Sequence, residues 1–443
     1  MTSIAIVGSG LSGLTVAHAL QARGHSVVVY ESEERVGGRM LTDRLGDTHV
    51  DAGAQLFGSM YTRFLALVEE IGLQDRLVQV PGRDALWRGG RTHEVVYGSI
   101  ASMISSGGLP LGTKLRLGST YLPFLSRHSR ALDLHSPEDA AAGGLDAESI
   151  ADWGVREIDT AFVAALVYPQ LGAYYGASPG ETSAGFYHIL ARDGMDVKLY
   201  GIRGGVGEVP ARLAERIEAA GGEVRTGLPV TSVRLTAEGA VVASEAGEKA
   251  FDAVVAAVPA PVVLDIVEGL PILLRDWLGA VRYRPTLSLA LLLDRPVGPR
   301  FFGLSFPEGQ TNVVAAVAVQ ENKGVDLVPS GRGLLLVLPT PEAVPSLIDL
   351  DSRQVHDRML PEVIRALPRV QQHVVRARVY RWPIGTPIMY PGYLGHLGAF
   401  RASNLEGSLP LVLAGDYLYG PSAEGAVSAA LDAVRRLETR LGQ

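Results

Sequence analysis

Three closely spaced glycines near the start of the chain restrict what it can fold into. Gly8, Gly10 and Gly13 follow an apolar run at residues 4–7 and open a helical pattern, and a second β-branched run leads to Glu31. In a strand, loop, helix and strand unit, these glycines permit a tight turn, close approach of a pyrophosphate and packing of helix on strand. An acid after the second strand is placed to accept hydrogen bonds from a ribose. The pattern predicts a dinucleotide-binding Rossmann unit.

Composition narrows the classes of function that remain. The chain has 443 residues, a formal net charge of −7 and no cysteine. The acidic balance argues against nucleic-acid binding, and the lack of cysteine excludes disulfides and thiolate metal sites. The histidines show no metal-binding spacing, so no metal site is predicted. Because no apolar run reaches the ~18 residues of a membrane helix and no signal-peptide pattern opens the chain, we expect a cytoplasmic protein without an integral membrane segment.

Strand and helix patterns alternate along the chain in a way that indicates two interleaved domains. Further α/β units are predicted at residues 208–258 and 411–441, whereas residues 97–200 carry short helical patterns and residues 282–381 carry long apolar strands. Within the first of these units, strands are predicted at residues 223–226, 230–235, 240–244 and 251–258. The predicted fold class is α/β, with an interleaved Rossmann-type domain and an inserted mixed α+β domain. We predict a dinucleotide-binding domain from residues 1–95, 201–281 and 382–443, and a substrate-binding domain from residues 96–200 and 282–381.

A second glycine motif follows the second predicted strand. Gly37 and Gly38 allow the chain to pass close to a cofactor, and Arg39 offers a guanidinium to phosphate oxygens. Residues 31–39 resemble the double-glycine motif of a flavoprotein superfamily that includes monoamine and polyamine oxidases, protoporphyrinogen oxidase and the phytoene desaturases. Segments similar to those of the same superfamily follow in order at residues 50–55, 204–207, 228–233, 413–416 and 422–426.

The resemblance implies that the bound dinucleotide is FAD. It implies that Val230 meets adenine, that Asp416 contacts the ribityl chain or phosphate, and that the last helix directs N–H groups to the flavin. The residues that it places at the cofactor are Gly8, Gly10, Leu11, Ser12, Gly13, Glu31, Arg35, Gly38, Arg39, Gly53, Ala54, Gln55, Val230, Gly415, Asp416, Ala423, Gly425 and Ala426. Without cysteine the cysteinyl-flavin bond of monoamine oxidases cannot form, so noncovalent FAD is expected.

The branch of the superfamily is indicated by two features. Amine oxidases usually carry a lysine on a substrate-domain strand near the flavin, and our alignment puts Ser288 at that place, with none of the four lysines on this strand. Residues 380–390, continuing to His396, look more like the corresponding stretch of protoporphyrinogen oxidases, although residues 50–55 lack that group's acid-glycine-proline pattern. The chain therefore resembles the protoporphyrinogen oxidase-like branch more than a standard amine oxidase.

No catalytic residue can be named from the sequence. Gln55, Ser288, Trp382 and Tyr390 are candidate neighbours of flavin and substrate, but Trp382 is equally compatible with a plain core position and Tyr390 with a loop anchor. Tyr168, Tyr174, Tyr175 and Tyr187 could line a cavity, and we favour helical core packing for them. For residues 114–130, we favour a cap over the substrate cavity to a segment lying on a membrane surface, which leaves peripheral membrane association open.

These features predict an FAD-dependent oxidoreductase that oxidises a small hydrophobic or cyclic substrate by hydride transfer to flavin N5. The expected partners are the small-molecule substrate and oxygen or another electron acceptor. Two alternatives are also flavin-dependent enzymes: an amine oxidase acting on a C–N bond, and a redox-neutral isomerase or cyclase. A third is a scaffold protein in which the flavin is structural. The oligomeric state stays open.

Overall fold

A computed structural model describes residues 2–96, 99–298, 300–403, 405–407 and 409–442 of the chain. Residues 97 and 98, near the start of the predicted substrate-domain segment at residues 96–200, lie outside the described residues. The strands are β1 (Ser3–Val7), β2 (Ser26–Tyr30), β3 (Thr42–Leu45), β4 (Thr48–Asp51), β5 (Phe57–Gly58), β6 (Leu77–Gln79), β7 (Arg83–Arg88), β8 (Arg91–Val96), β9 (Leu199–Ile202), β10 (Glu223–Arg225), β11 (Val230–Leu235), β12 (Ala240–Ser244), β13 (Gly247–Phe251), β14 (Ala253–Ala256), β15 (Val267–Glu268), β16 (Tyr283–Leu293), β17 (Gly303–Ser305), β18 (Val314–Val319), β19 (Gly333–Pro339), β20 (Val374–Pro387) and β21 (Leu411–Leu413).

Helices connect many of these strands. The α-helices are α1 (Leu11–Gln21), α2 (Thr62–Glu70), α3 (Ile100–Ser105), α4 (Leu111–Arg116), α5 (Leu122–Arg127), α6 (Glu138–Ala142), α7 (Ile150–Glu157), α8 (Thr160–Phe162), α9 (Tyr168–Tyr175), α10 (Ala184–Asp193), α11 (Glu208–Ala219), α12 (Ala260–Ile266), α13 (Ile272–Gly279), α14 (Val344–Leu347), α15 (Ser352–Ala366), α16 (Tyr393–Ser403) and α17 (Ala423–Leu441). Among the helices described, none is both long and apolar enough to cross a membrane.

A five-stranded parallel sheet carries the predicted Rossmann unit. Its order is β10-β2-β1-β14-β21, so strands from three separate stretches of the chain lie side by side. The central strand β1 is almost continuously apolar because helices cover the sheet, and α1 packs against both α11 and α17. All five strands run the same way, so their carboxyl ends meet at one edge, where α/β folds bind ligands.

A seven-stranded sheet forms the second large layer. Its order is β20-β16-β19-β18-β17-β7-β8, and its pairs are antiparallel except for β17 with β7. Alternate leucines of β16 enter a core that also holds Val355, Met359 and Val363 of α15. Helix α15 thus covers one face of the sheet. Strands β7 and β8 belong to the same sheet, although they come from an early part of the chain.

The helical region comes from residues 99–196, as the sequence pattern predicts. Two continuous helices span 111–127 and 160–175, and each contains one π-helical turn, at Leu117–Tyr121 and Val163–Val167. The three smaller sheets are β13-β12-β11-β15, β3-β4 and β5-β9-β6. Together these layers confirm the predicted fold class of an interleaved Rossmann-type unit with a mixed α+β insertion.

One predicted strand is wrong. The apolar run at residues 251–258 predicts a single strand, but β13 ends at Phe251 and β14 begins at Ala253, in two different sheets. Asp252 separates them, because its carboxylate accepts hydrogen bonds from the backbone N–H and the hydroxyl of Ser3, at 2.6 and 2.8 Å. This anchors the chain at the start of β1, where it leaves one sheet for the other.

Candidate functional site

A cavity of about 540 Å³, here called the main cavity, opens at the carboxyl edge of the five-stranded sheet. It extends from the loop after β1 to residues of β16 and β20. The sequence-predicted residues that line it are Gly8, Gly10, Leu11, Ser12, Glu31, Gly38, Arg39, Gly53, Ala54, Gln55, Val230, Ser288, Trp382, Gly415, Asp416, Ala423 and Ala426. Segments that lie hundreds of residues apart in the chain therefore meet around one space.

The glycine loop after β1 is held close to α1. Gly8 has a φ of +100°, and a Cβ placed on Gly13 would lie only 1.9 Å from the carbonyl oxygen of Gly8. Gly10 differs, because a Cβ there would meet no protein atom within 4 Å. Gly10 is also the N-cap of α1, and no side chain caps this end of the helix. The first-turn N–H groups of α1 are thus available to an anion in the cavity.

Glu31 lies at the end of β2 with a fixed orientation. One of its carboxylate oxygens accepts hydrogen bonds from the backbone N–H and the hydroxyl of Ser9, at 2.9 and 2.7 Å, and the other accepts from the N–H of Glu33 at 2.9 Å. The oxygen that binds Glu33 also accepts from the Ser32 hydroxyl at 3.2 Å. These four hydrogen bonds use the about four acceptor positions of the carboxylate, so a ribose hydroxyl would bind by taking the place of a serine hydroxyl. The acid is therefore held where a ribose of a dinucleotide would lie in a Rossmann unit.

The double-glycine loop connects the two ends of the main cavity. The N–H of Gly37 donates to the carbonyl oxygen of Ser9 at 2.9 Å, which holds this loop against the first one. Arg39 donates to Oδ2 of Asp416 and to the carbonyl oxygen of Gly385, both at 2.8 Å. The ion pair joins residues that are 377 positions apart. The arginine and the acid that the resemblance places at the cofactor are therefore partners in this structure.

Arg35 has a different environment from the one expected. Its side chain does not line the main cavity; it donates to the carbonyl oxygen of Gly38 at 3.1 Å and pairs with Glu33 at 2.8 Å. Gly13 and Gly425 are also absent from the lining. They are packing positions, since a Cβ on Gly425 would lie 2.1 Å from the carbonyl oxygen of Gly420. Arg35, Gly13 and Gly425 therefore hold the loops around the cavity in place, and they do not line the cavity.

The start of α17 closes the opposite side of the cavity. Ser422 caps the helix by accepting from the N–H of Gly425 at 2.9 Å, and Ala423 and Ala426 line the cavity. The hydroxyl of Ser12 donates to the carbonyl oxygen of Ala426 at 2.7 Å, which ties α1 to α17. The positive end of the α17 dipole therefore points toward the cavity, where it favours negative charge.

The end of the main cavity farthest from the glycine loop contains three of the four predicted substrate neighbours. The Ser288 hydroxyl donates to the carbonyl oxygen of Ala52 at 2.8 Å, and Trp382 lies beside Gly53. Gln55 donates to the carbonyl oxygen of Asp51 and accepts from the Gln320 amide at 2.9 Å. Thr286 also lines the cavity and was missed, although its i, i+2 relation to Ser288 on β16 places both on one face.

Tyr390 is not brought to this end. Its hydroxyl donates to the carbonyl oxygen of Ala280 at 2.9 Å, and the Arg282 guanidinium lies 4.4 Å from its ring centroid. The residue is absent from the cavity lining, so the structure places it as the loop anchor that the sequence also allowed. The backbone bond satisfies the hydroxyl of a half-buried tyrosine and explains this position.

A second cavity, here called the apolar chamber, lies between the helical region and strands β7, β8 and β17. It has a volume of about 200 Å³ and is lined mainly by aliphatic and aromatic side chains. Met60, Tyr174 and Tyr175 line both cavities, so the two spaces adjoin. Lys114 and several leucines of residues 114–130 line the chamber as well, so this segment forms part of its wall.

The four clustered tyrosines are divided between core and cavity. Tyr174, Tyr175 and Tyr187 line the apolar chamber. Tyr187 is also 2% exposed and belongs to the hydrophobic core, and Tyr175 packs against that core, as the favoured prediction of core packing requires. Tyr168 is buried away from the chamber lining, and its hydroxyl donates to Glu342 at 2.8 Å. Helical spacing could not separate the two roles, because a chamber between helices is lined by the same faces that form a core.

Asp84 is an acid in the wall of the apolar chamber. It is 8% exposed, and its carboxylate accepts from the Tyr174 hydroxyl at 2.7 Å and from the backbone N–H of Gly303 at 2.9 Å. Burial raises its pKa from 3.8 to about 6, against the opposing effect of these two hydrogen bonds. No local sequence pattern indicates a role for this residue, because its partners lie 90 and 219 positions away.

The raised pKa of Asp84 predicts a pH-dependent stability difference. The folded-state pKa of Asp84 lies above that of the unfolded chain, so the fold is most stable with respect to this group below about pH 4, where the carboxyl is protonated in both states. That stability is lost as the pH rises through about 6 and the buried carboxyl ionises. A difference of about two pKa units corresponds to about 3 kcal/mol. At each pH, the unfolding free energy of the native chain is subtracted from that of Asp84→Asn, both measured by urea denaturation. We expect this difference to increase by about 3 kcal/mol between pH 4 and pH 7.5. Parallel pH profiles for the two proteins would contradict the prediction.

The residues around the main cavity fit a flavin dinucleotide. Phosphates require N–H donors and a close backbone, which the uncapped start of α1 and the open space at Gly10 provide. A ribose requires an acceptor, which Glu31 provides, and a flat ring requires the apolar and aromatic walls formed by residues such as Trp382. The donor set and the shape of the cavity are therefore compatible with FAD.

Comparison with known proteins identifies the family. The sequence model described as flavin-containing amine oxidoreductase matches residues 11–437. AofH of Mycobacterium tuberculosis, whose name describes a flavin-containing monoamine oxidase, is 28% identical over 266 residues, 58% of this chain and 56% of AofH. Coproporphyrinogen III oxidase of Propionibacterium freudenreichii is 29% identical over 187 residues, 41% of this chain and 33% of that protein. The matches thus span between a third and just over half of the length of these two relatives.

The fold is also shared with solved structures. Cyclohexylamine oxidase from Brevibacterium oxydans IH-35A superposes with a TM-score of 0.76, at 20% identity and with both chains covered completely. The predicted superfamily is confirmed by the extent of the family match and by relatives on both its amine oxidase and porphyrinogen oxidase sides. The chain belongs to the family of flavin-containing amine oxidoreductases.

Proposed function

We propose that this chain binds FAD noncovalently in the main cavity and oxidises a small apolar or cyclic substrate at a C–H bond. The observation that carries the proposal is the convergence of four family segments, at residues 8–13, 37–39, 50–55 and 413–426, on one cavity. The cavity adjoins the apolar chamber at Met60, Tyr174 and Tyr175. A substrate in the chamber would therefore lie beside the end of the main cavity that contains Gln55, Ser288 and Trp382.

The chain's own residues would hold the cofactor by distinct means. The N–H groups at the start of α1 would bind the pyrophosphate, and Glu31 would accept hydrogen bonds from the ribose. The ion pair between Arg39 and Asp416 joins the double-glycine loop to the segment before α17, so both would be placed together against the cofactor. The positive end of α17 would stabilise negative charge at the far end of the cavity.

FAD, when bound, supplies a two-electron acceptor that takes a hydride at N5 from a substrate C–H bond, and oxygen or another acceptor then removes those electrons. The chain contributes orientation and exclusion of water. Among the described residues that line the main cavity none is a lysine, and the Ser288 hydroxyl is already donated to Ala52. The residues near the reacting end would thus position the substrate, and none of them is required as a base.

Amine oxidation is the second candidate function. It is favoured by the family to which the chain belongs and by the name of the relative AofH. The strand position at which amine oxidases usually carry lysine is occupied by Ser288, which supports the first candidate. The two differ in the substrate that reduces the flavin, so one experiment can separate them.

We also propose a modified domain division. Residues 1–82, 201–281 and 388–443 would form the FAD-binding domain, and residues 83–200 and 282–387 the substrate-binding domain. This division differs from the sequence prediction because β7, β8 and the end of β20 pair within the seven-stranded sheet. Secondary structure that shares one sheet folds as one layer, which supports the change.

The test is spectroscopic. The purified protein is expected to show a flavin absorbance spectrum, and acid precipitation should release the flavin into solution because no covalent bond retains it. Panels of amines, porphyrinogens and isoprenoids are then mixed with the protein without oxygen, and bleaching identifies the class that donates electrons. Bleaching by amines alone would establish the second candidate. A protein that takes up no FAD would contradict the proposal altogether.

A further inference from the structure

The apolar chamber has the volume and the lining of a binding site for an apolar group. Its walls include Leu109, Leu117, Leu125, Leu171 and Tyr187, all buried. A cavity of about 200 Å³ is too large and too apolar to be filled by a few hydrogen-bonded waters. Because Met60, Tyr174 and Tyr175 border both spaces, a molecule in the chamber can extend one end toward the main cavity.

Asp84 is a buried carboxylate in this mainly apolar wall. Its hydrogen bonds with Tyr174 and Gly303 use one acceptor position on each carboxylate oxygen, and about two positions remain. In the part of the chain that the structure describes, Asp84 takes part in no ion pair, and no cation lowers its pKa. A buried carboxylate without a cation is unfavourable, so a positively charged ligand would gain both attraction and hydrogen bonds here.

Lys114 lines the same chamber and is partly exposed. Its ammonium group donates to the carbonyl oxygen of Ser106 at 2.6 Å. It forms no ion pair with Asp84. The bond to Ser106 uses one of the three donors of the ammonium group, and Lys114 is partly exposed, whereas Asp84 is buried. An uncompensated charge is less favourable at the buried carboxylate, which favours a cationic ligand over an anionic one.

We propose that the apolar chamber binds the nonreacting end of the substrate and that Asp84 pairs with a cationic group carried there. The substrate class is an elongated apolar molecule with an amino or guanidino group distant from the carbon that is oxidised. This inference rests on the proposed function, because it takes the main cavity to be the reacting end. Tyr174, which donates to Asp84 and borders both cavities, holds the carboxylate in place and is a positioning residue.

The test compares three probes of equal chain length: octylguanidinium, octanol and octanoate. Their binding to the purified holoprotein is measured by calorimetry at pH 8, where Asp84 is ionised. We expect octylguanidinium to bind at least about tenfold more tightly than the other two. Asp84→Asn should reduce its affinity at least about tenfold and leave the affinity for octanol unchanged. Lys114→Gln, which changes a charge of opposite sign in the same wall, should preserve the preference for the cation.

The outcomes separate this inference from the proposed function. Equal binding of octylguanidinium to the native protein and to Asp84→Asn, or tighter binding of octanoate, would overturn the inference even where substrates bleach the flavin. Conversely, Asp84-dependent binding of the cation in a protein whose flavin no substrate reduces would support the cation site and count against the proposed oxidation.

Discussion

Replacing Gly10 with alanine is expected to leave the fold intact and to lower FAD affinity at least about tenfold, or about 1.4 kcal/mol. Gly10 has φ −64° and ψ 175°, a conformation that alanine adopts without strain. An added Cβ would meet no protein atom within 4 Å, and Gly10 lines the main cavity. The methyl group would therefore stand in the space where a pyrophosphate must approach the backbone N–H groups of α1.

A matched control is available at Gly279, at the end of α13. It is exposed, and an added Cβ there also meets no atom within 4 Å. Both variants should unfold within about 1 kcal/mol of the native apoprotein, since each replaces one glycine without a clash. Titration of FAD into the apoproteins, followed by flavin fluorescence, gives the affinities. Native FAD affinity in the Gly10 variant would show that the pyrophosphate does not lie against this loop.

The predictions of local structure succeeded where a segment's own residues decide its conformation. The strands at Val230–Leu235 and Ala240–Ser244 have the predicted bounds, because alternating or continuous apolar residues end at turn signals. The single strand predicted at residues 251–258 failed because Asp252 bonds to Ser3, which lies 249 positions away. The order of the seven-stranded sheet, in which β7 pairs with β17, likewise depends on contacts that no local pattern encodes.

In the candidate site, too, the residues that could be predicted from the sequence are those whose positions depend on local structure. Motif glycines and Glu31 could be placed from the sequence because their spacing within one strand, loop and helix unit determines their geometry. The apolar chamber could not, since Asp84, Tyr174 and Gly303 come from three distant segments. Trp382 was left between core and cavity, and the structure places it in the cavity wall. Long-range packing, which decides such positions, leaves no periodic trace in a single sequence.

A buried ion pair that the sequence did not suggest supports one side of the main cavity. Lys323 and Asp51 are both fully buried, and the Lys323 ammonium donates to Oδ2 of Asp51 at 2.5 Å. The other carboxylate oxygen accepts from the Thr42 hydroxyl at 2.6 Å and from the N–H of Val206 at 2.9 Å. Asp51 directly precedes the cavity-lining segment at residues 52–55. The pair therefore joins this segment to the chain that follows β18.

Lys323→Met is expected to destabilise the protein by about 3–5 kcal/mol. The substitution leaves the Asp51 carboxylate buried without a cation, and an uncompensated buried charge is strongly unfavourable. Lys249→Met is the matched control, because Lys249 is half exposed and lies 4.0 Å from Glu223 on the surface. Exposed pairs contribute about 0–1 kcal/mol, so this control should change little. Urea denaturation of the two variants measures the difference.

The double variant Lys323→Met, Asp51→Asn distinguishes an uncompensated charge from loss of packing. Asparagine is neutral and keeps an oxygen that can accept from Thr42 and from the N–H of Val206. We therefore expect the double variant to recover most of the lost unfolding free energy, and to restore soluble protein if Lys323→Met alone does not fold. If the two changes simply add, the lysine stabilises the segment through its aliphatic chain, and the charge explanation is wrong.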